Sequence, residues 1–241
     1  MSGHSRWAQI KRKKGAIDVQ RGKIFSKLGK EISVAARLGG GEAEANPRLR
    51  LAILKAKEHN MPAKNIENAV KRGAGNMEGV TYEEITYEAY GPGGIGLMIS
   101  CLTDNKNRSA SEVRSVLTKN GCSMATVGAV GFQFEKKGLL HIEKSAEPNE
   151  EKMMELALEA GAEDVVTESE GYTVKTDIGS YISVLDKLKA KNVPVAESSI
   201  GYTPKNFAPA DAATQEKIQE LISALEDLDD VEAVASNEES S

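Results

Sequence analysis

The feature that most constrains this fold is the glycine-rich segment at residues 73–79, where the hydrophobic pattern of the chain changes. Before this segment, apolar residues recur at the spacing of amphipathic helices. After it, short runs of apolar residues bounded by turn residues predict strands. Clusters of glycine mark connections between such elements. We therefore interpret residues 73–79 as a linker between a helical N-terminal domain and a strand-containing remainder.

The N-terminal part predicts three short helices with brief connections. The first runs from about residue 17 to residue 38 and ends at three consecutive glycines. The second begins at Asn46-Pro47, an N-cap followed by a proline at the first helical position, and runs to about residue 59. The third starts near residue 60 and ends at Gly73. Three amphipathic helices this short predict a small bundle.

Beyond the linker, residues 81–90 and 95–102 predict two strands joined by a Gly-Pro-Gly-Gly turn. Residues 108–120 predict a helix in which Ser109 and Glu112 form a capping box. Residues 131–135 predict a further short strand.

Residues from about 138 to 202 predict the order strand, helix, strand, strand, helix, strand, which is the split βαβ, ferredoxin-like order. Asn149 and Asp177 are the predicted caps of its two helices. After it, Asp211 caps a predicted helix to about residue 228, and residues 231–235 predict a short strand. This last segment is too small to fold alone, so we expect it to pack on residues 80–135.

The predicted fold class is therefore α+β multidomain: an N-terminal three-helix domain plus two α/β domains, the ferredoxin-like one inserted in the other. The predicted boundaries are 1–75 for the basic helical domain, 80–135 with 205–241 for the second domain, and 136–204 for the inserted ferredoxin-like domain.

Charge is segregated along the chain at the same place as the hydrophobic pattern. Residues 1–75 hold 17 lysines and arginines and 6 acidic residues, a net charge of +11, whereas residues 76–241 hold 14 and 30, a net charge of −16. Such asymmetry suggests a polyanion-binding module joined to a part that must not bind polyanions. The alternative, charge that only solvates the surface, explains solubility but not the segregation.

Several classes of protein are disfavoured by composition. No run of about 18 apolar residues predicts a membrane span, and the N-terminus lacks the apolar core of a secretory signal. We therefore expect a cytoplasmic protein without a membrane partner. Cys101 and Cys122, the only cysteines, are expected to be reduced thiols. The three histidines show no metal-ligand spacing and no catalytic set stands out, so we expect no metal, no cofactor and no enzymatic activity.

The strongest candidates for contact with nucleic acid lie in the basic domain. Lys11, Arg12, Lys13 and Lys14 form one basic block, followed by Arg21. Lys23, Lys27, Lys30 and Arg37 recur at offsets of 4, 7 and 14 on the first predicted helix and form a basic stripe roughly opposite its apolar residues. Together these groups would contact about five to eight phosphates, which for duplex DNA gives a slope of log affinity against log salt of about −5 to −7.

Arg48 and Arg50 are candidates for bidentate pairing with phosphate or guanine. Salt bridges within the chain, to Glu42 or Glu44, are the alternative. Trp7 would either stack on an exposed base or anchor the N-terminal arm. Residues 103–108 would either hold an anion at the start of a helix or form an Asx turn.

The segment from Gly91 to Gly96 formally satisfies the Gly-x-Gly-x-x-Gly pattern of dinucleotide-binding proteins. That site requires the glycine turn to open a helix. Here strand-like residues 97–102 follow, so we predict a hairpin turn instead.

Eight stretches together resemble the YebC/PmpR family, and the resemblance runs from end to end of the chain. The stretches occupy residues 2–7, 21–25, 30–37, 46–50, 55–62, 90–94, 103–108 and 225–231. Two departures are visible: Lys106 stands where an arginine is usual, and Cys122-Ser-Met124 replaces a glycine-rich stretch. The resemblance implies a helical domain plus two α/β domains, the ferredoxin-like one inserted in the other.

The resemblance also implies function. Family members are described as probable transcriptional regulators that bind DNA, eukaryotic relatives as mitochondrial translational activators, and some bacterial members as ribosome-acting factors that ease synthesis of proline-rich stretches. We therefore expect a non-catalytic, nucleic-acid-binding regulator of gene expression, with DNA-binding transcriptional control first. The alternatives are a translation factor associated with the ribosome or ribosomal RNA, and a protein-interaction adaptor. Because no helix-turn-helix signature is present, we expect contacts to the nucleic-acid backbone rather than base readout.

Overall fold

The computed structural model describes residues 21–75, 77–147 and 149–239. Within these ranges the chain forms seven α-helices and eight β-strands, and the strands are arranged in two four-stranded sheets. This confirms the predicted α+β fold class.

The three N-terminal helices, α1 (Arg21–Gly39), α2 (Pro47–Glu58) and α3 (Ala63–Gly73), enclose a core of their own, and we call residues 21–75 the helical unit. Asn46 is the predicted cap of α2: its side chain accepts a hydrogen bond from the backbone N–H of Leu49 and donates to the carbonyl of Ala35. The Ser33 hydroxyl on α1 donates to the carbonyl of Ala69 on α3. These bonds fix both later helices against α1.

The first sheet has the strand order β3-β1-β2-β8 and is antiparallel throughout. Its strands are β1 (Glu83–Tyr90), β2 (Gly96–Thr103), β3 (Ser123–Met124) and β8 (Val231–Ser236). Helices α4 (Lys106–Lys119) and α7 (Ala212–Glu226) contribute buried residues to the same core, including Leu117, Ile218 and Leu225. Because β8 pairs with β2, the end of the described chain returns to the sheet that follows the linker, as expected.

The second sheet is formed by the chain between β3 and α7. Its strands are β4 (Phe134–Glu143), β5 (Asp164–Thr167), β6 (Gly171–Thr176) and β7 (Glu197–Pro204), in the order β5-β6-β4-β7. Helices α5 (Glu150–Ala160) and α6 (Tyr181–Ala190) connect them and share their core. This is the predicted ferredoxin-like order. The division into three independently folding domains with the predicted boundaries stays a prediction.

Three local predictions were wrong. Helix α4 is capped by Asn105, which accepts from the backbone N–H groups of Asn107 and Arg108, so Ser109 lies inside the helix rather than at its cap. Helix α6 begins three residues after Ile178, because Asp177 accepts from the N–H of Gly179 in a local turn.

The third concerns residues 131–135, where the predicted strand begins instead as a 3-10 turn, Gly131–Gln133. The backbone N–H of Gly131 donates to the carboxylate of Glu88, which turns the chain out of the extended conformation. Strand β4 starts only at Phe134 and continues without interruption to Glu143.

Both cysteines are free thiols, as expected. Across the described residues, we find no helix with the length and apolarity that crossing a bilayer requires.

Candidate nucleic-acid interface

The helical unit is basic even without residues 1–20: residues 21–75 contain 12 lysines and arginines and 5 acidic residues, a net charge of 12 − 5 = +7. The predicted basic block, Lys11, Arg12, Lys13 and Lys14, lies outside the described residues, as does Trp7. Arg21 is the first residue of α1, and its side chain lies outside the described part.

The basic stripe on α1 faces the C-terminal end of α7. Lys23 Nζ donates to the carbonyl of Asp227 at 3.1 Å, and Lys27 Nζ donates to the carbonyls of Glu226 at 2.8 Å and Val231 at 2.5 Å. Carbonyls at the end of a helix lack partners within the helix and carry the negative end of its dipole. Two lysines of the stripe thus supply bonds that α7 cannot make for itself.

Lys30 is the centre of this contact, with only 7% of the residue exposed. Its ammonium donates to Asp230 Oδ1 at 2.6 Å and to the carbonyl of Asp229 at 2.9 Å, and it lies 5.6 Å from the ring centroid of Tyr82. Lys30 thereby joins the helical unit to the segment between α7 and β8 and to the start of the first sheet.

Asp230 is buried as well and receives three side-chain donors. Besides Lys30, Arg108 Nη2 and Thr103 Oγ1 each donate to Oδ2 at 2.8 Å. Burial by itself raises the pKa of a carboxyl, but the hydrogen bonds from Lys30, Arg108 and Thr103 outweigh it and hold the pKa of Asp230 below its ordinary value. The carboxylate is therefore ionised at neutral pH. We call this group of four side chains the Asp230 clamp.

The expectation of an exposed lysine stripe is corrected at Lys30, because its ammonium is enclosed by Asp230 and two carbonyls and is not open to a phosphate in this conformation. The acidic run at residues 226–230 lies opposite the stripe, so part of the charge segregation along the chain serves contact between its own halves. Contact of Lys23 and Lys27 with nucleic acid stays a prediction.

Arg48 and Arg50 also have partners within the chain, although not the predicted ones. Arg48 forms a two-pronged pair with Glu31 at 2.9 and 3.0 Å and a further bond to Glu84 at 2.5 Å. Arg50 lies 3.9 Å from Asp186, and both side chains are exposed, so this pair contributes little. Of the two, Arg50 is the one that remains accessible to a phosphate.

Four cations of the helical unit form no hydrogen bond or ion pair with the residues that the structure describes: Arg37, Lys57, Lys64 and Arg72. Of these, only Arg37 was among the predicted site residues. The signal that identifies Arg72 as well is its position, since both arginines lie in the last turn of a helix whose final residue is a glycine.

Arg37 and Arg72 both line a cleft of about 510 Å³, which lies between the ends of α1 and α3 and the chain that enters β1. We call it the Arg37–Arg72 cleft. Its walls include Ser33, Arg37, Gly41, Arg72, Thr81 and Tyr82. The first four belong to the helical unit, and the last two lead into the first sheet.

The two helices that carry the arginines approach closely because of Gly73. A Cβ at this position would clash with the carbonyl oxygen of Ser33 on α1. The aliphatic part of Arg72 packs against Gly79, where a Cβ would stand 2.7 Å from Arg72 Cδ. The stem of Arg72 therefore packs against the backbone at Gly79, and α1 and α3 are in close backbone contact at Gly73, beside Arg72.

Two other sequence candidates are settled by geometry. Asn105 caps α4, and Arg108 donates to Asp104 and Asp230, so residues 103–108 form a turn and its arginine is engaged by carboxylates. Strands β1 and β2 pair antiparallel on either side of the Gly-Pro-Gly-Gly turn, in which Gly93 and Gly94 have positive φ. This confirms the predicted hairpin. The described residues also contain no group of three or more metal-ligating side chains.

The chain is an α+β protein in which a basic helical unit precedes two antiparallel sheets. The chain matches two family descriptions, "TACO1/YebC protein N-terminal domain" over residues 5–76 and "TACO1/YebC second and third domain" over residues 82–238. The chain belongs to the TACO1/YebC family.

Relatives match over nearly the full length. A "probable transcriptional regulatory protein" of Dictyoglomus turgidum is 48% identical over 98% of this chain and 95% of its own, and one of Pseudothermotoga lettingae is 50% identical over 98% and 93%. The crystal structure of a conserved hypothetical protein from Aquifex aeolicus superposes with a TM-score of 0.89 at 46% identity, covering 98% of this chain and 97% of that one.

Proposed function

We propose that this chain is a non-catalytic, cytoplasmic regulator of gene expression that binds nucleic acid through its basic helical domain, with DNA-binding transcriptional control as its first form. The observation that carries the proposal is the net charge of +11 in residues 1–75, together with four cations that form no ion pair among the described residues: Arg37, Lys57, Lys64 and Arg72. The names of the relatives, which are probable transcriptional regulatory proteins, support it.

The proposed mechanism is contact with the phosphate backbone. Each phosphate that a lysine or arginine neutralises releases condensed counterions, and this gain requires no readout of bases. The predicted block Lys11, Arg12, Lys13 and Lys14 would extend the contact beyond the four unpaired cations. Sequence preference would then arise from the shape of the nucleic acid rather than from hydrogen bonds to base edges.

A second candidate function is that of a translation factor associated with the ribosome or ribosomal RNA, which eases synthesis of proline-rich stretches. The observation that favours it is the Arg37–Arg72 cleft, because a concave site admits an unpaired nucleotide more readily than the convex backbone of a duplex. Sequence-tolerant contacts to unpaired nucleotides are typical of RNA-binding proteins.

The test is crosslinking of the full chain in cells, followed by sequencing of both the bound DNA and the bound RNA. Enrichment of promoter DNA supports transcriptional control, and a defined ribosomal RNA site supports the second candidate. A matched variant with Lys11, Arg12, Lys13 and Lys14 changed to glutamate should lose most of the crosslinked material. Recovery of proteins alone, unaffected by this change, would contradict nucleic-acid binding and indicate an adaptor.

A further inference from the structure

We infer that the Arg37–Arg72 cleft is a binding site for one unpaired nucleotide of a single-stranded RNA segment, with the two guanidinium groups on the phosphate. The inference rests on the proposed nucleic-acid-binding function and assigns a particular site and strand state to it.

The charge of the cleft favours a phosphate as its ligand. Most basic side chains of the helical unit that reach another part of the chain meet a carboxylate or a carbonyl there, as Lys27, Lys30 and Arg48 do. The two arginines that line the cleft meet neither among the described residues. Arginine presents a planar fork of donors that matches two phosphate oxygens, so two arginines that line one cleft without an ion pair among the described residues are suited to a phosphate.

The neighbouring acidic groups do not cancel this charge. Glu83 and Glu84 follow the cleft residue Tyr82 in the chain, but Lys106 holds Glu83 at 2.6 Å and Arg48 holds Glu84 at 2.5 Å. Arg37 is within electrostatic range of both carboxylates but forms an ion pair with neither, and their pairing with Lys106 and Arg48 reduces their repulsion of a bound phosphate.

The geometry of the cleft favours binding because one wall is formed before a ligand arrives. The close approach of α1 and α3 at Gly73 and the packing of Arg72 on Gly79 fix one wall before a ligand arrives. Fixed donors lose less conformational entropy on binding than mobile ones. At Gly40 and Gly75, which have positive φ, a Cβ would meet nothing within 4 Å, so the cleft is bordered by open space at these glycines.

Size and lining select the ligand. A volume of about 510 Å³ exceeds what a single phosphate fills and falls in the usual range for sites that hold a small organic molecule. The remaining wall contains the apolar side chain of Val80 and the ring of Tyr82, which suit a base or ribose. A duplex keeps its bases stacked inside, so only an unpaired nucleotide offers phosphate and base to the same cleft.

The experiment measures fluorescence anisotropy of a labelled single-stranded RNA of roughly 12 nucleotides, and of the same RNA annealed to its complement, with the full chain. The test variant carries Arg37→Ala and Arg72→Ala. The control carries Arg114→Ala and Lys119→Ala, which removes the same charge from exposed positions on α4. We expect the test variant to lose about tenfold in single-strand affinity for each arginine, with a much smaller loss for the duplex. The control should lose little for either probe.

Two further variants separate binding in the cleft from charge and from folding. Arg37→Lys with Arg72→Lys keeps the charge but not the planar fork, and should bind the duplex like the unaltered chain while its single-strand affinity stays reduced. Thr81→Trp keeps both arginines but places a large side chain in the cleft, and should weaken single-strand binding alone. Melting temperatures of all variants identify any that are unfolded, and Thr81→Trp decides the outcome if the arginine variants do not fold.

Equal losses for the single strand and the duplex in the arginine variant would overturn the inference, as would a loss no larger than that of the control. Unchanged single-strand binding by Thr81→Trp would overturn it too. Failure of the unaltered chain to bind either RNA probe would overturn the inference, and failure to bind duplex DNA of the same sequence as well would refute the proposed function. A chain that binds the duplex but not the single strand would leave the proposed function standing and refute the cleft as a site.

Discussion

Replacement of Asp230 by alanine tests the clamp that joins the helical unit to the sheets. The substitution removes the acceptor of Lys30, Arg108 and Thr103 at once and leaves the ammonium of Lys30 buried without a counter-charge. Removing one partner of a buried ion pair costs about 3–5 kcal/mol, because the other charge remains desolvated. Since Arg108 keeps its bond to Asp104, the loss at that residue is partial. We expect the free energy of unfolding to fall by about 3 kcal/mol.

The assay is urea denaturation at neutral pH followed by far-ultraviolet circular dichroism, with Lys30→Met and the double variant measured alongside. Because Asp230 and Lys30 share one interaction, the double variant should lose less than the sum of the two single losses. Lys23→Ala is the matched control: Lys23 is exposed and bonds to a single carbonyl, so its removal should cost under about 1 kcal/mol.

The pH dependence provides a second readout of the same group. The pKa of Asp230 is lowered in the folded chain, so its contribution to stability is complete above the ordinary carboxyl range and is lost as the pH falls through the folded value. The stability difference between the unaltered chain and Asp230→Ala should therefore shrink on acidification below about pH 4. The reasoning is refuted if Asp230→Ala is within 1 kcal/mol of the unaltered chain at neutral pH, or if its effect and that of Lys30→Met are additive.

Three further predictions concern other parts of the fold. The carboxylate of Glu88 accepts three backbone N–H bonds at 2.6–2.7 Å, which hold the loop before β4. Glu88→Gln should therefore lower the free energy of unfolding by about 2 kcal/mol and speed hydrogen exchange of the Gly131 amide. Unchanged exchange at Gly131 would argue against this role. Burial raises the pKa of Glu232 to about 7, and its enclosed Oε1 has no hydrogen-bond partner among the described residues. A raised carboxyl pKa makes the stability of the folded chain fall as the pH rises from about 4.5 to 7. Glu232→Gln should therefore be more stable than the unaltered chain by roughly 2 kcal/mol at pH 8 and nearly equal to it at pH 4. Thermal denaturation at the two pH values measures this difference. Gly73→Ala should lower the free energy of unfolding by at least about 2 kcal/mol in the same assay, because the added Cβ would clash with the α1 backbone. Gly22→Ala is the control: a Cβ there meets nothing within 4 Å, so the substitution should be neutral or slightly stabilising.

Elements whose signals are local could be predicted from sequence. Asn46, Asn149 and Asp211 cap the helices they were expected to cap, because each needs only a backbone N–H three residues ahead. The same logic failed at Asp177 and Ser109, where a nearby turn offered another local bond or an earlier asparagine took the cap. Sequence alone cannot decide between two local partners of similar strength.

The candidate site could be predicted only in part, because its decisive contacts are distant in sequence. Lys30 and its acceptor Asp230 are 200 residues apart, and nothing in the spacing of lysines on α1 distinguishes a buried ammonium from a solvated one. Charge composition identified the basic domain but not which cations its own chain neutralises. The cleft depends on how two helix ends approach the strand that follows them, so the sequence predicts Arg37 as a site residue but not Arg72.

The clamp and the cleft are coupled through Lys30, and this coupling gives a prediction whose sign separates structure from charge. Lys30 contacts Asp230 on one side and the ring of Tyr82, a wall of the cleft, on the other. Loss of a carboxylate would by itself raise the affinity for RNA, because it removes a negative charge. If the clamp holds the helical unit in place, however, Asp230→Ala should loosen the Tyr82 wall and lower single-strand affinity while duplex affinity is unchanged or rises. Higher affinity of this variant for both probes would show that Asp230 acts only through its charge and that the cleft does not depend on the clamp.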